Sequence, residues 1–243
     1  MLKRLLKFLL FLFIGLFGGM LWQTICLPYF AENPRFSKLW FVEDYTKRQV
    51  TLYPRQEITI KENEAITSAI EKVEKSVVPL EAKTADGKIL QGAGLILTSD
   101  GLIVTLADLA PKGAAVSVWL EGKKVLAEIK KRDLKENLVL LKVEGNNLAT
   151  GAFADLEKIK KGERVFLVGA IFSTAKPERA ADEGIIRYFN ENFINTNLSE
   201  KENFRGSTLF DIDANVLGLN MLGFDNELMT IPITKIQNFA FSQ

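Results

Sequence analysis

"VVPLEAKTADGKILQGAGLILTSDGLIVTLADLA", residues 77–110, is a chain of short apolar segments cut at Asp86-Gly87 and Asp100-Gly101. Asp-Gly pairs suit the left-handed backbone of tight hairpin turns, so the stretch predicts strands joined by hairpins. The same texture continues C-terminally. "AVSVWLEGKKVLAEIKKRD" gives a hairpin around Glu121-Gly122, and "NLVLLKV" and "ERVFLVGA" read as buried strands. "GIIRYFN", "NFINTN", "STLFDI", "NVLGLN" and "MTIPI" follow, with a turn at Asp213-Ala214-Asn215 between the third and fourth. Short strands at regular spacing through about 150 residues predict an all-β barrel or sandwich. "ITKIQNFAF" closes the body as a short helix.

Upstream, "NEAITSAIEKVEKSVVPL" changes period. Asn63 is placed to cap a helix, Ile66, Ile70 and Val73 recur at helical spacing, and Pro79 marks the predicted end. Residues 30–62 are a polar and aromatic segment with Pro34 and Pro54, in which "QVTLYPRQEITI" offers a short strand. The first residues are of another kind. Lys3, Arg4 and Lys7 precede 18 uncharged residues, Phe8 to Ile25, rich in Phe and Leu. At about 1.5 Å per residue this run nearly spans a hydrocarbon core of roughly 30 Å. Trp22 and Tyr29 stand where interfacial aromatics belong. A cleaved signal peptide is the competing reading, but no clear small-x-small cleavage site follows the run. The expectation is a retained anchor with its basic flank in the cytoplasm and the remainder outside. Gly15, Gly18 and Gly19 could favour helix packing, although most such clusters do nothing specific. The domain expectation is therefore 1–29 flank and transmembrane anchor, 30–62 juxtamembrane segment, and 63–243 β domain.

Composition narrows the chemistry. The 243 residues hold 31 Lys+Arg against 30 Asp+Glu, a formal charge of +1, so nothing suggests nucleic acid. One cysteine, Cys26, excludes an internal disulfide. It is read as a free thiol, with lipidation or dimer formation as the alternative. The histidine count is zero. That removes imidazole bases and His-based metal sites, and no cofactor or metal is expected. The "GAG" at 92–94 is too weak for a nucleotide loop and fits tight packing before a strand. "DLEKIKKGE" is a solvated loop, and Asp211 and Asp213 are expected to bond their own turn.

Four segments, in order, resemble the trypsin-like protease domain of the HtrA/Deg family: "GAGLILTSDGLIVTLADLA", "AEIKKRDLKENLVLLKV", "LEKIKKGERVFLVGA" and "NFINTNLSEKENFRGSTLFDIDANVLGLN". The likeness covers roughly residues 65–240. It implies two perpendicular six-stranded β-barrels with the active site between them, and a protein anchored or exported beyond the cytoplasmic membrane. The family often carries a PDZ domain after the second barrel; with Gln243 just beyond that barrel, none is expected here.

Carried over one position at a time, the family's catalytic histidine falls on Asp108, its aspartate on Asn137 and its serine on Arg205. Gly206 keeps the glycine after the serine. Asn203 replaces a glycine that helps shape the oxyanion hole. A serine nucleophile needs an adjacent base. An aspartate, with a reference pKa of about 3.9, is a poor base at neutral pH, and a guanidinium is neither base nor nucleophile. Ser207 is the alternative nucleophile, paired with a lysine such as Lys201, but it stands two residues off the family position and reads as structural. The resemblance thus implies a pseudoprotease: an inactive, membrane-anchored homologue acting as an extracytoplasmic binding or scaffolding module. Its old cleft would hold a peptide or an envelope protein. The alternatives are a serine-type endopeptidase or other hydrolase with an unconventional nucleophile, and an envelope protein whose cleft has closed. An Asp108–Arg205 ion pair is expected to fill the site, with the Asn137 amide donating to the carboxylate. The rival expectation is drift, with Arg205 swung to solvent.

Overall fold

The computed structural model describes residues 2–32, 36, 39, 62–173, 176–198, 204–223 and 227–242. Asn203, Lys201 and the strand expected in "QVTLYPRQEITI" lie outside the described residues. The chain divides into two compact units, Met1–Thr59 and Ile60–Gln243.

In the first unit, α1 (Leu2–Leu21) runs into a π-helical turn, Trp22–Cys26, and α2 (Leu27–Glu32). The wide turn falls just ahead of Pro28, which has no N–H to return to the preceding turn. Thr24 spends its hydroxyl on the Met20 carbonyl, 2.8 Å away. Lys3–Phe30 is, among the described residues, the one helical stretch long and apolar enough to cross a membrane, at 28 residues. Cys26 is a free thiol.

In the second unit, α3 (Glu62–Val73) lays Ile66, Ala69 and Val73 into the core at helical spacing. Asn63, expected as the cap, lies inside this helix, which begins at Glu62. Pro79 does not end it either. The helix passes through a tight turn at Glu74–Ser76, and Pro79 sits inside β1 (Val77–Lys83), opposite Ala93. Strand β4 (Ala115–Leu120) pairs with β1 only from Leu80 onward, so Pro79 lies beyond that ladder, where a missing N–H is tolerated. With β2 (Ile89–Ile96), β3 (Leu102–Leu106), β5 (Lys123–Asp133) and β6 (Leu138–Lys142), the first six strands close a barrel in the order β1-β2-β3-β6-β5-β4.

The turns form where the sequence marks them. Gly87 and Gly101 have φ of +86° and +101°. Glu121 and Gly122, both left-handed at +48° and +76°, make the two-residue turn between β4 and β5.

A short β7 (Ala152–Phe153) leads to the second barrel: β8 (Arg164–Ile171), β9 (Glu178–Phe189), β10 (Ile194–Thr196), β11 (Thr208–Asp211), β12 (Asn215–Leu222) and β13 (Leu228–Pro232). The order β11-β8-β9-β10-β13-β12 closes because β11 also pairs with β12. Strand β9 begins six residues before the expected Gly184. Its first half, Glu178–Glu183, is charged and alanine-rich and has weak strand propensity. Continuous pairing with the buried β8 overrides that preference. Asp211 caps its own turn as expected, with Oδ1 accepting from the N–H groups of Asp213 and Asn215 at 3.0 and 2.8 Å. The closing helix α4 (Ile233–Phe241) buries Ile233, Ile236 and Phe239. Lys131 Nζ donates to its Phe239 carbonyl at 2.8 Å, and Lys235 pairs with Glu136 at 2.8 Å. The fold is all-β, a double β-barrel, with an N-terminal helix that is a candidate membrane span.

Candidate functional site

Asp108 follows β3 in the turn that begins at Ala107. The turn is clamped from barrel 1. Asn137, just ahead of β6, has a φ of +53°. Asparagine tolerates that left-handed backbone better than most side chains. From there its carbonyl accepts the Ala107 N–H at 3.0 Å, and its side-chain Oδ1 accepts the Asp108 N–H at 3.0 Å. Arg132 Nη1 donates to the Ala107 carbonyl at 3.2 Å. The expectation that Asn137 donates its amide to the Asp108 carboxylate is therefore corrected. Its side chain holds the backbone of the turn.

Arg205 belongs to barrel 2, in the turn Phe204–Gly206 before β11. Gly206, with φ +72°, donates its N–H to the Asn220 carbonyl at 2.8 Å. A Cβ at Gly206 would collide with the Ala93 carbonyl. The Arg205 carbonyl accepts the Ala93 N–H at 3.0 Å, across from barrel 1. Gly92 makes room for this contact, since a Cβ there would stand 2.7 Å from the same carbonyl oxygen. Glycines 92 and 94 thus lie within β2 rather than before it, and serve tight packing.

The structure brings Asp108, Asn137 and Arg205 together. Arg205 Nη2 stands 2.6 Å from Asp108 Oδ2, so the ion pair is present and Arg205 does not swing to solvent. The guanidinium side chain is 27% exposed and the carboxylate side chain 45%. Arg205 Nε is buried without a hydrogen-bond partner. Beside Arg205 lies a cavity of about 540 Å³ walled by Ile89, Leu90, Ile171, Phe172 and Leu222, with Lys88 at its rim.

Ser207 has no exposed surface. Its Oγ accepts from Asn220 Nδ2 at 2.8 Å, while Thr230 Oγ1 donates to Asn220 Oδ1 at 2.5 Å. This buried polar ladder runs from the start of β11 across β12 to β13 and satisfies groups that would otherwise be costly. The partners are an amide and a hydroxyl, neither of them a base. Sequence reasoning missed the ladder. Its signal was there, in single polar residues set within the apolar strands "NVLGLN" and "MTIPI". Among the described residues no cluster of three or more metal-ligating side chains forms.

A trypsin-like peptidase domain matches residues 92–219. The chain belongs to that family. The curated relatives it is similar to are DegP-like and HtrA proteases. It is 30% identical over 138 residues to the "Probable periplasmic serine endoprotease DegP-like" of Halomonas elongata, covering 53% of this chain and 28% of that protein. It is 27% identical over 195 residues to "Serine protease HTRA4" of Homo sapiens, covering 72% and 40%. The chain thus spans well under half the length of these curated relatives. Among solved structures, an HtrA-type protease with a tripeptide superposes with a TM-score of 0.63 at 20% identity, over 73% of this chain and 64% of that one. The serine endoprotease from Yersinia pestis gives 0.63 at 20% identity, over 71% and 64%. These structures share the fold.

Proposed function

We propose that this HtrA-like chain is a catalytically inactive protease homologue, anchored in a membrane by α1, whose double barrel binds extended peptide outside the cytoplasm. The observation that carries the reading is the Asp108–Arg205 ion pair at 2.6 Å, in a chain with no histidine. In this reading Asp108, Asn137 and Arg205 occupy the family's histidine, aspartate and serine positions. A carboxylate paired to a guanidinium cannot take a proton from a hydroxyl at neutral pH as an imidazole does. Arg205 has no hydroxyl to offer, and Ser207 is sealed in its ladder with Asn220 and Thr230. Peptide binding outlives such losses, because main-chain hydrogen bonds to strand edges do not depend on catalytic side chains. The anchor and outer location are supported by Lys3, Arg4 and Lys7 ahead of the apolar helix, and by relatives named as periplasmic.

Two experiments test this. The purified chain should resist labelling by a fluorophosphonate probe and should leave unfolded protein substrates uncut; labelling at Ser207 would overturn the inactive reading. N-terminal sequencing of the membrane-extracted protein should find the basic flank in place, and a start beyond Ile25 would remove the anchor.

A further inference from the structure

Three strands lose a neighbour on the same cavity wall. Strand β2 pairs with β1 from Ile89 to Leu95, but meets β3 only at Leu95 and Ile96. Strand β8 pairs with β9 along its whole length, but with β11 only at Val165–Val168. Strand β12 pairs with β13 out to Leu222, but with β11 only as far as Leu219. Among the described residues nothing pairs with the edges at Ile89–Gln91, Ala170–Ile171 and Leu222, and all of them line the cavity beside Arg205. Unpaired edges present N–H and C=O groups that another extended chain can complete.

Among the described residues the charge of this cavity is one-sided. Lys88 stands at the rim, exposed, and among the described residues no carboxylate comes within ion-pairing distance of it. Arg205 also lines it; its Nη2 is paired with Asp108, while its Nε is buried with no hydrogen-bond partner among the described residues. Asp108 is held by Arg205 itself, and Asp86, in the turn two residues before Lys88, accepts the Thr84 hydroxyl and also feels the Lys88 charge. Among the described residues no acidic side chain lines the cavity. Ile89, Leu90, Ile171, Phe172 and Leu222 supply apolar wall between the two cations.

We propose that this groove docks an extended acidic segment, which adds as a strand to the free edges and sets its carboxylates toward Lys88 and Arg205. The proposal rests on the reading of the cleft as a peptide-binding site and names the class of peptide. Strand addition supplies main-chain hydrogen bonds. Alternating residues would face the apolar wall, and the acidic ones the cations.

The test uses the full chain in detergent micelles and fluorescence anisotropy with three labelled peptides: one of alternating valine and aspartate, its valine–asparagine counterpart, and the acidic peptide N-methylated at every second residue. The acidic peptide is expected to bind about fivefold more tightly than the neutral one at low salt, the upper range for exposed charge pairs. The preference should fade as salt is raised. N-methylation should abolish binding, because it removes the strand's donors while keeping the charges. Lys88→Glu, at an exposed turn position, should erase the acidic preference and leave the unfolding midpoint unchanged. Equal affinity for acidic and neutral peptides, or full binding by the N-methylated one, overturns the proposal. Mass spectrometry of the same samples reads the other claim separately: cut peptide would refute catalytic inactivity and says nothing against an acidic preference.

Discussion

Replacing Asp108 and Arg205 by alanine, singly and together, measures what their pairing contributes. At about 4 Å between charge centres, Coulomb attraction is roughly 4 kcal/mol at an effective dielectric of 20 and about 1 kcal/mol in water. The exposures of 45% and 27% place this pair nearer the wet limit. Holding a long arginine still costs part of that gain. The expected coupling is therefore about 1 kcal/mol, well short of the roughly 3–5 kcal/mol lost when one partner is removed from a fully buried pair. The assay is urea unfolding of the four proteins, with coupling taken as the departure from additivity. The coupling should shrink as ionic strength rises, because the carboxylate is open to solvent. Additivity within about 0.3 kcal/mol would refute the pair as a stabilising contact. A coupling above about 3 kcal/mol would refute the solvent exposure on which the estimate stands.

Gly206→Ala should destabilise the fold by about 2 kcal/mol or more, from its left-handed φ of +72° and the clash with Ala93, as read by the denaturation midpoint. Phe166→Ala removes one ring of the stacked Phe166–Phe210 pair, centroids 5.3 Å apart in the core, and should cost about 3–5 kcal/mol in the same assay. Asp100 carries a carboxyl pKa held below 3.8, first by its contact with Lys142 at 2.6 Å and then by the Thr98 hydroxyl. Because the folded value is depressed, its stabilisation is fully present above pH 3.8 and is lost as pH falls through the lowered folded value. Asp100→Asn should therefore lower the unfolding midpoint at neutral pH and converge with the parent in strong acid; a difference that persisted there would refute the assignment. Residues 60–243 alone should give a soluble, cooperatively unfolding protein, and aggregation of that piece alone would refute an independent core.

The barrels were legible where single residues force the backbone. Asp-Gly pairs and Glu121-Gly122 demand left-handed turns, and the strands between them follow from alternation. What was not legible is what neighbours impose. Strand β9 extends through Glu178–Glu183 because β8 lies beside it, and no local pattern in those residues announces a strand. Pro79 reads as a helix stop in one dimension, yet β1 accepts it because the β4 ladder has not begun. The meeting of Asp108 with Arg205, 97 positions apart, is legible only through the family resemblance, since no period or spacing connects them. The work of Asn137 was misread because its left-handed φ, which turns the amide toward the Asp108 backbone, has no trace in the neighbouring sequence.

The contacts around Arg205 also bear on why Asp108 and Arg205 belong together. Barrel 1 supplies Asp108, its brace Asn137 and the Ala93 N–H. Barrel 2 supplies the Arg205 guanidinium and carbonyl. Arg205 therefore holds barrel 1 twice, through its carbonyl on Ala93 and through its side chain on Asp108. The first grip is main-chain and survives any side chain at position 205, provided Gly92 and Gly206 leave room. The second exists only with a cation at position 205 and an anion at position 108. A neutral residue at either place would keep the backbone seam and lose the side-chain one. Under the proposed inactive reading, the salt bridge across the seam serves inter-barrel attachment. That attachment is worth little at the surface exposures observed, so under the proposed docking Arg205 can exchange Asp108 for a carboxylate arriving in the cleft. A pair strong enough to lock the barrels would defeat such exchange. The modest coupling expected from the exposures is the regime in which one arginine can serve both.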